Sequence, residues 1–290
     1  MDDPYDTYPE DSDRRRFVKG VVGAGALSGV VGASTSMIDL ATTAAGAGGG
    51  PMNYMGIELV GGPAPRGMPQ IPVELDEDGY LRGIWPDVDT IELEGQEIPI
   101  AEEELGGVTY DTAWFQYCGS QNHSSIQPDA SRDNYFRYSA EGPYDWQNQE
   151  VNAGDRVHVD HFDDYQNWGN VIGSDGVGKP ALVSWRSQED ELEEGERPLA
   201  VQLIRSPLVE DRADYDNPDD DWLGASTDSG FIAVHNQCTH FCCVPGYKDP
   251  GQPDSAAYDA EDAIYCQCHQ SVYDPFTIVE QSMVALPRPD

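Results

Sequence analysis

Five of the six cysteines sit close together near the C-terminal end, interleaved with two of the six histidines. The first box reads Cys238-Thr239-His240-Phe241-Cys242-Cys243, and the second reads Cys266-Gln267-Cys268-His269-Gln270-Ser271. In each box a histidine follows a cysteine by two or three positions. That spacing lets both side chains reach one metal centre from a tight loop. Two cysteines and two histidines make a four-ligand set, which is also the inventory of a structural zinc site.

Three features favour an iron–sulfur centre over zinc. Each box carries an additional cysteine, Cys243 and Cys268, that a closed tetrahedral site would not use. In an oxidising compartment such a pair becomes a disulfide tying the two loops together. Ser271 and Tyr273 stand just beyond the second box, placed to donate hydrogen bonds to sulfur. Such donors tune the potential of an iron–sulfur cluster and have no comparable use at structural zinc. Finally, the N-terminus carries an export signal of the kind used by proteins that fold around a cofactor before translocation. It reads Arg14-Arg15-Arg16-Phe17-Val18-Lys19 and resembles the twin-arginine signal, with Asp13 where Ser or Thr is usual.

The two boxes resemble the Rieske family, whose pattern is Cys-Thr-His-Leu-Gly-Cys followed by Cys-Pro-Cys-His-Gly-Ser. The match runs from Phe231 to Glu280. The resemblance implies one 2Fe-2S cluster, with Cys238 and Cys266 on the inner iron and His240 and His269 on the outer one. It further implies a Cys243–Cys268 disulfide, a Ser271 hydroxyl on a bridging sulfide, and a Tyr273 phenol on the Cys238 sulfur. The chain departs from the pattern at Cys242 and Gln270, where the family has glycines, and at Gln267, where it has proline. Cys242 and Cys118 fall outside the pattern. They are either lone thiols, the commonplace state of a buried cysteine, or a second disulfide fixing the insertion to the cluster loop. The family also covers its cluster with a proline loop after the second box. Leu286-Pro287-Arg288-Pro289 is the expected counterpart, and the upstream Gly62-Pro63-Ala64-Pro65 is expected to be linker.

The elements that would position these loops read as strands. Thr90–Leu93, Ala181–Trp185, Leu199–Ile204 and Phe231–Val234 are short apolar runs broken by Gly, Pro, Asn and Asp. Long amphipathic helical periodicity is absent. The expectation is an all-β protein: an antiparallel Rieske-type β domain with a cluster-binding subdomain, preceded by one N-terminal transmembrane helix. The boundaries expected are a cytoplasmic tail at 1–19, an anchor at 20–38, a flexible tether at 39–55, a base domain with an insertion at 56–230, the cluster subdomain at 231–280 and a Pro-containing segment at 281–290. The charge-free run 20–38 gives about 28 Å of helix, enough to cross a bilayer core. The basic residues before it place the tail in the cytoplasm. The protein is thus expected in the cell membrane, single-pass, with its cluster domain outside. The stretch Glu189–Glu196 is expected as a solvated loop, and His123, His158 and His161 as ordinary histidines.

Composition narrows the function further. Fifty-three acidic residues against 16 basic ones leave a formal charge of −37, which excludes a nucleic-acid partner. Six Trp and 15 Tyr supply a core, so the acidity belongs to the surface of a folded protein. Such a surface suits very high salt, where the short Debye length screens its self-repulsion. Within the resemblance, the chain is an electron-transfer subunit of a quinol-oxidising bc-type complex. Its partners are a cytochrome b-type subunit, quinol, and a c-type cytochrome or copper protein as acceptor. His269, then His240, would meet the quinol. The alternative is the Rieske subunit of another exported reductase, such as a nitrate reductase.

Overall fold

A computed structural model describes residues 49–62, 67–93, 95–140, 142–188 and 192–288. The expected tail and membrane span lie outside these residues. Among the described residues no helix is long and apolar enough to cross a membrane.

The protein is mostly antiparallel β-sheet. The most apolar strand explains the layout best. Phe231–His235 (β11) is buried at every position, so it needs cover on both faces and a neighbour on both edges. It has Gln70–Ile71 (β2) on one side and Ala200–Arg205 (β10) on the other. Lys179–Ser184 (β9) and Arg137–Tyr138 (β8) complete a five-stranded sheet. The four strand segments expected from sequence coincide with strands, with Trp185 and Leu199 just outside them. Thr90–Leu93 lies in Val88–Leu93 (β5), which pairs with Gln96–Leu105 (β6), itself paired with Val108–Asp111 (β7). Val73–Leu75 (β3) and Leu81–Gly83 (β4) form a small hairpin. Among the described residues the α-helices are short: Asp145–Glu150 (α1), Pro207–Arg212 (α2) and Trp222–Ser226 (α3).

The second large sheet carries the two boxes. Its order is Gly50–Gly61 (β1), Ser271–Ala285 (β14), Ile264–Cys266 (β13) and Gly246–Tyr247 (β12). β1 starts within the stretch expected as a tether, and β14 runs through 280 to 285. The two pair from Gly50 opposite Ala285 to Gly61 opposite Val272, so both ends of the described chain are fixed to the sheet holding the second box. The register jumps where Ile57 faces Ile278 but Glu58 faces Asp274, leaving 275–277 as a bulge. Pro275 lies there because it has no N–H for the ladder. Asp274 fills the gap by accepting from Phe276 N and Thr277 Oγ1 at 2.9 and 2.7 Å.

Among the described residues two large apolar cores result, beside a small cluster of Ala260, Tyr265 and Val272. The larger is aromatic, built around Trp114, Trp185, Phe115, Phe136 and Phe231. The smaller joins Ile57, Ile232, Val234, Ile264 and Tyr273 to Cys238 and Cys266. Buried cations occur at the borders of both cores. Lys179 meets Asp164 at 2.7 Å and lies 4.0 Å over the Trp146 ring, with its side chain 3% exposed. Lys248, whose side chain has no exposure, meets Asp262 at 2.9 Å.

Candidate metal centre

The first box is the loop from β11 to β12, and the second is the turn from β13 to β14. Because β12, β13 and β14 are neighbours, the sheet brings the two loops together. Cys266 faces Ser271 across the closed turn, and Gly246 faces Tyr265. Cys238 and Cys266 are the free cysteines of the described chain, both buried at 2% and 1% exposure. His240 and His269 are half-buried, with ring centroids 4.4 Å apart. Phe241, 64% exposed, stacks on His269 at 4.9 Å.

Donors converge on the Cys238 sulfur. The Cys266 thiol bonds to it, the Tyr273 phenol lies 3.1 Å away and the His240 N–H 3.5 Å. These bonds, the Cys266 bond first among them, hold its thiol below the ordinary range. Cys266, as donor in the pair, is pushed the opposite way. Ser271 is 3% exposed and bonds to the Tyr273 phenol. The site therefore offers two buried sulfurs with hydrogen-bond donors around them and two imidazoles at the rim. This mixed sulfur and nitrogen set fits a 2Fe-2S cluster with two ligands of each kind. A closer trio of sulfurs, Cys243, Cys266 and Cys268, spans no more than 4.8 Å. Two of these are joined as a disulfide and so lack the thiolate a metal needs.

Two disulfides frame the centre. Cys243–Cys268 ties loop to loop, the pairing that the resemblance implies. Cys118–Cys242 ties the first loop to the insertion, so the lone-thiol reading of these two residues is overturned. Their Cα atoms stand 5.3 Å apart although 124 positions separate them, because the insertion folds back on the loop. The replaced glycines keep a glycine-like backbone. Cys242 and Gln270 both adopt left-handed φ, at 60° and 52°.

The C-terminal proline segment falls differently from expectation. Leu286 N donates to Gln116 O at 2.7 Å, and Arg288 donates to Thr112 Oγ1 at 3.3 Å, so the C-terminal segment lies on the insertion. The contacts to the ligand loops come from Gly62 and Gly67, the flanks of the stretch expected as linker. Gly62 has φ 110°, and a Cβ there would stand 2.8 Å from Ser271 Cα. Thr239 Oγ1 donates to Gly67 O at 3.0 Å and accepts from Gly67 N at 3.3 Å. Residues 63–66 lie outside the described residues.

The remaining histidines are structural. His123 Nδ1 caps Ser125 N and its Nε2 bonds Arg197 O at 3.0 Å. His158 caps Asp160 N and reaches Asp78 O at 2.8 Å. His161 Nδ1 lies 3.0 Å from the Tyr138 phenol. Glu196 is more than a solvated charge: it accepts from Ser124 N and Oγ at 2.7 and 2.8 Å. Sequence reading missed Tyr117 and His235, whose side chains meet at 2.7 Å beside the first loop. His235 stands three residues before Cys238 at the end of an apolar strand, and that buried polar position was the available signal. No protein-family model, curated protein or solved structure matches the chain.

Proposed function

We propose that the chain is a membrane-anchored Rieske-type electron-transfer protein, the iron–sulfur subunit of a quinol-oxidising bc-type complex. The observation that carries this reading is the division of the six cysteines. Four close two disulfides that fix the ligand loops, and the two left free are the buried pair Cys238 and Cys266, facing His240 and His269.

Cys238, Cys266, His240 and His269 would hold the cluster, which when bound supplies a one-electron carrier of raised potential because two ligands are neutral. The residues around it do the rest. Tyr273 lies against the Cys238 sulfur and Ser271 backs its phenol, an arrangement that favours the more negative, reduced state. His269 and His240, half-buried at the rim, are the groups that can hold a proton at their outer ring nitrogens when quinol gives up its hydrogen. The buried floor of Ile264, Tyr273 and Val234 keeps water from the sulfur side. The run 20–38 would anchor the chain, with a cytochrome b-type subunit as partner and a c-type cytochrome or copper protein as acceptor.

The test is low-temperature EPR on dithionite-reduced, high-salt membranes, with and without a quinol-site inhibitor. The expected result is an anisotropic signal with a mean g below that of all-cysteine clusters, shifted by the inhibitor. A signal indifferent to the inhibitor assigns the chain to another exported reductase. Zinc in the purified protein, with no signal, overturns the cluster.

A further inference from the structure

The insertion segment Tyr117–Ser120 grips the first ligand loop along its length. Tyr117 is buried, and its phenol oxygen lies 2.9 Å from Gln237 O and 2.7 Å from His235 Nδ1. A phenol has a single proton. With that proton donated to Gln237 O, the Nδ1–H of neutral His235 fills the phenol's acceptor side. The Gln237 side chain is held at both ends: Ser120 Oγ donates to its Oε1 at 3.0 Å, and its Nε2 donates to Cys118 O at 3.3 Å. The next peptide continues the chain, because Cys238 N donates to Cys243 O at 2.8 Å. Polarised in sequence, such bonds reinforce one another in a buried setting. Cys118 then bonds covalently to Cys242.

We propose that Tyr117–Ser120 is a brace that positions Cys238 and His240 from the body of the protein, independently of the Cys243–Cys268 link between the loops. Tyr117 is its central positioning residue, and Cys118–Cys242 is its covalent end. Gln237 is the contact point: its carbonyl and both ends of its amide are engaged by the segment, directly before the first ligand. The brace rests on the cluster reading for its purpose but not for its geometry, so it can be tested with and without the cluster.

The experiment compares full-length wild type, Tyr117→Phe, the double variant Cys118→Ser/Cys242→Ser, and Tyr138→Phe as a buried-phenol control on His161. In loaded protein, the readouts are EPR g-values and the rate at which an iron chelator bleaches the visible absorption. In metal-free protein, the readout is the rate of iodoacetamide alkylation at Cys238, assigned by peptide mapping. Tyr117→Phe is expected to shift the g-values and to speed both bleaching and alkylation by roughly tenfold, as one lost buried hydrogen-bond pair would. The double variant should do the same with Cys243–Cys268 intact, and Tyr138→Phe should match wild type. A wild type without the histidine-ligated signal would sink the cluster reading and leave the alkylation result to judge the brace. Wild-type g-values and rates in both Tyr117→Phe and the double variant would overturn the brace itself.

Discussion

The phenol oxygen of Tyr273 lies 3.1 Å from the sulfur of Cys238, reaching across from β14 to the other ligand loop. On the cluster reading, a donor at that distance stabilises the more electron-rich sulfur of the reduced state. Tyr273→Phe removes one hydrogen bond worth roughly 1 kcal/mol more on reduction. At about 59 mV per tenfold for one electron, the midpoint potential should fall by roughly 40 mV. Ser271→Ala should lower it similarly. Redox titration followed by EPR measures both, and an unchanged potential in Tyr273→Phe would mean that this contact does not reach a cluster ligand.

His235 makes folding stability depend on pH. Burial pushes its imidazole down to about 4, against an ordinary value near 6.5. Between those values the unfolded chain binds more protons than the folded one, so stability rises with pH across the window and is lost as pH falls through it. The full effect is roughly 3 kcal/mol. Asp111 works the other way: burial raises its carboxyl to about 6, so its contribution falls as pH rises toward 6. Subtracting the stability of His235→Gln from that of wild type isolates the histidine. Urea unfolding should show the wild-type-minus-variant stability larger at pH 7 than at pH 4.5, and an equal gap at both pH values would rule the imidazole out.

The left-handed backbone at Gln270 sets which substitutions the second turn accepts. Gln270→Gly relieves about 1 kcal/mol of steric cost but loses a similar amount to chain entropy. Its unfolding free energy should therefore stay within about 0.5 kcal/mol of wild type. Gln270→Val, β-branched at a positive φ, should lose about 1–2 kcal/mol. Equal chemical denaturation of the two variants would show that the turn can relax out of this conformation.

Lys248 has no solvent-exposed side chain and depends on Asp262 and the Ser174 carbonyl. Asp262→Asn leaves the ammonium without its counter-charge. The expected loss is about 1–3 kcal/mol, below that of a fully buried pair, because the Asp262 side chain is 38% exposed. Lys248→Met in the same background should recover part of it. A double-mutant cycle with no coupling between the two sites would show that the pair contributes nothing.

The sequence made the local features of this site readable and left the distant ones hidden. Both Cys–His boxes and the four strand segments could be read because each lies within a few residues of chain. The strand Phe231–Val234 is a continuous apolar run, which the buried centre of a sheet requires. The partners of Cys118 and Gly62 could not be read that way. Cys118 meets Cys242 only after the insertion folds back, and Gly62 meets Ser271 only because β1 pairs with β14. His158 and His123 were expected as ordinary histidines, but their capping of short turns is a local role that needs the backbone to be seen. Cys242 and Gln270 carried a usable clue, since residues standing where glycines are expected mark positions of unusual φ.

The burial of Lys179 and Lys248 has a practical side. The chain has three lysines, and these two are enclosed, with side chains 3% and 0% exposed. Reagents that acylate primary amines will therefore find no target among the described residues of the folded protein. Fluorophores, crosslinkers or surface-coupling chemistry aimed at amines are left with the amino terminus and Lys19. A label introduced this way leaves the acidic surface of the described residues unaltered.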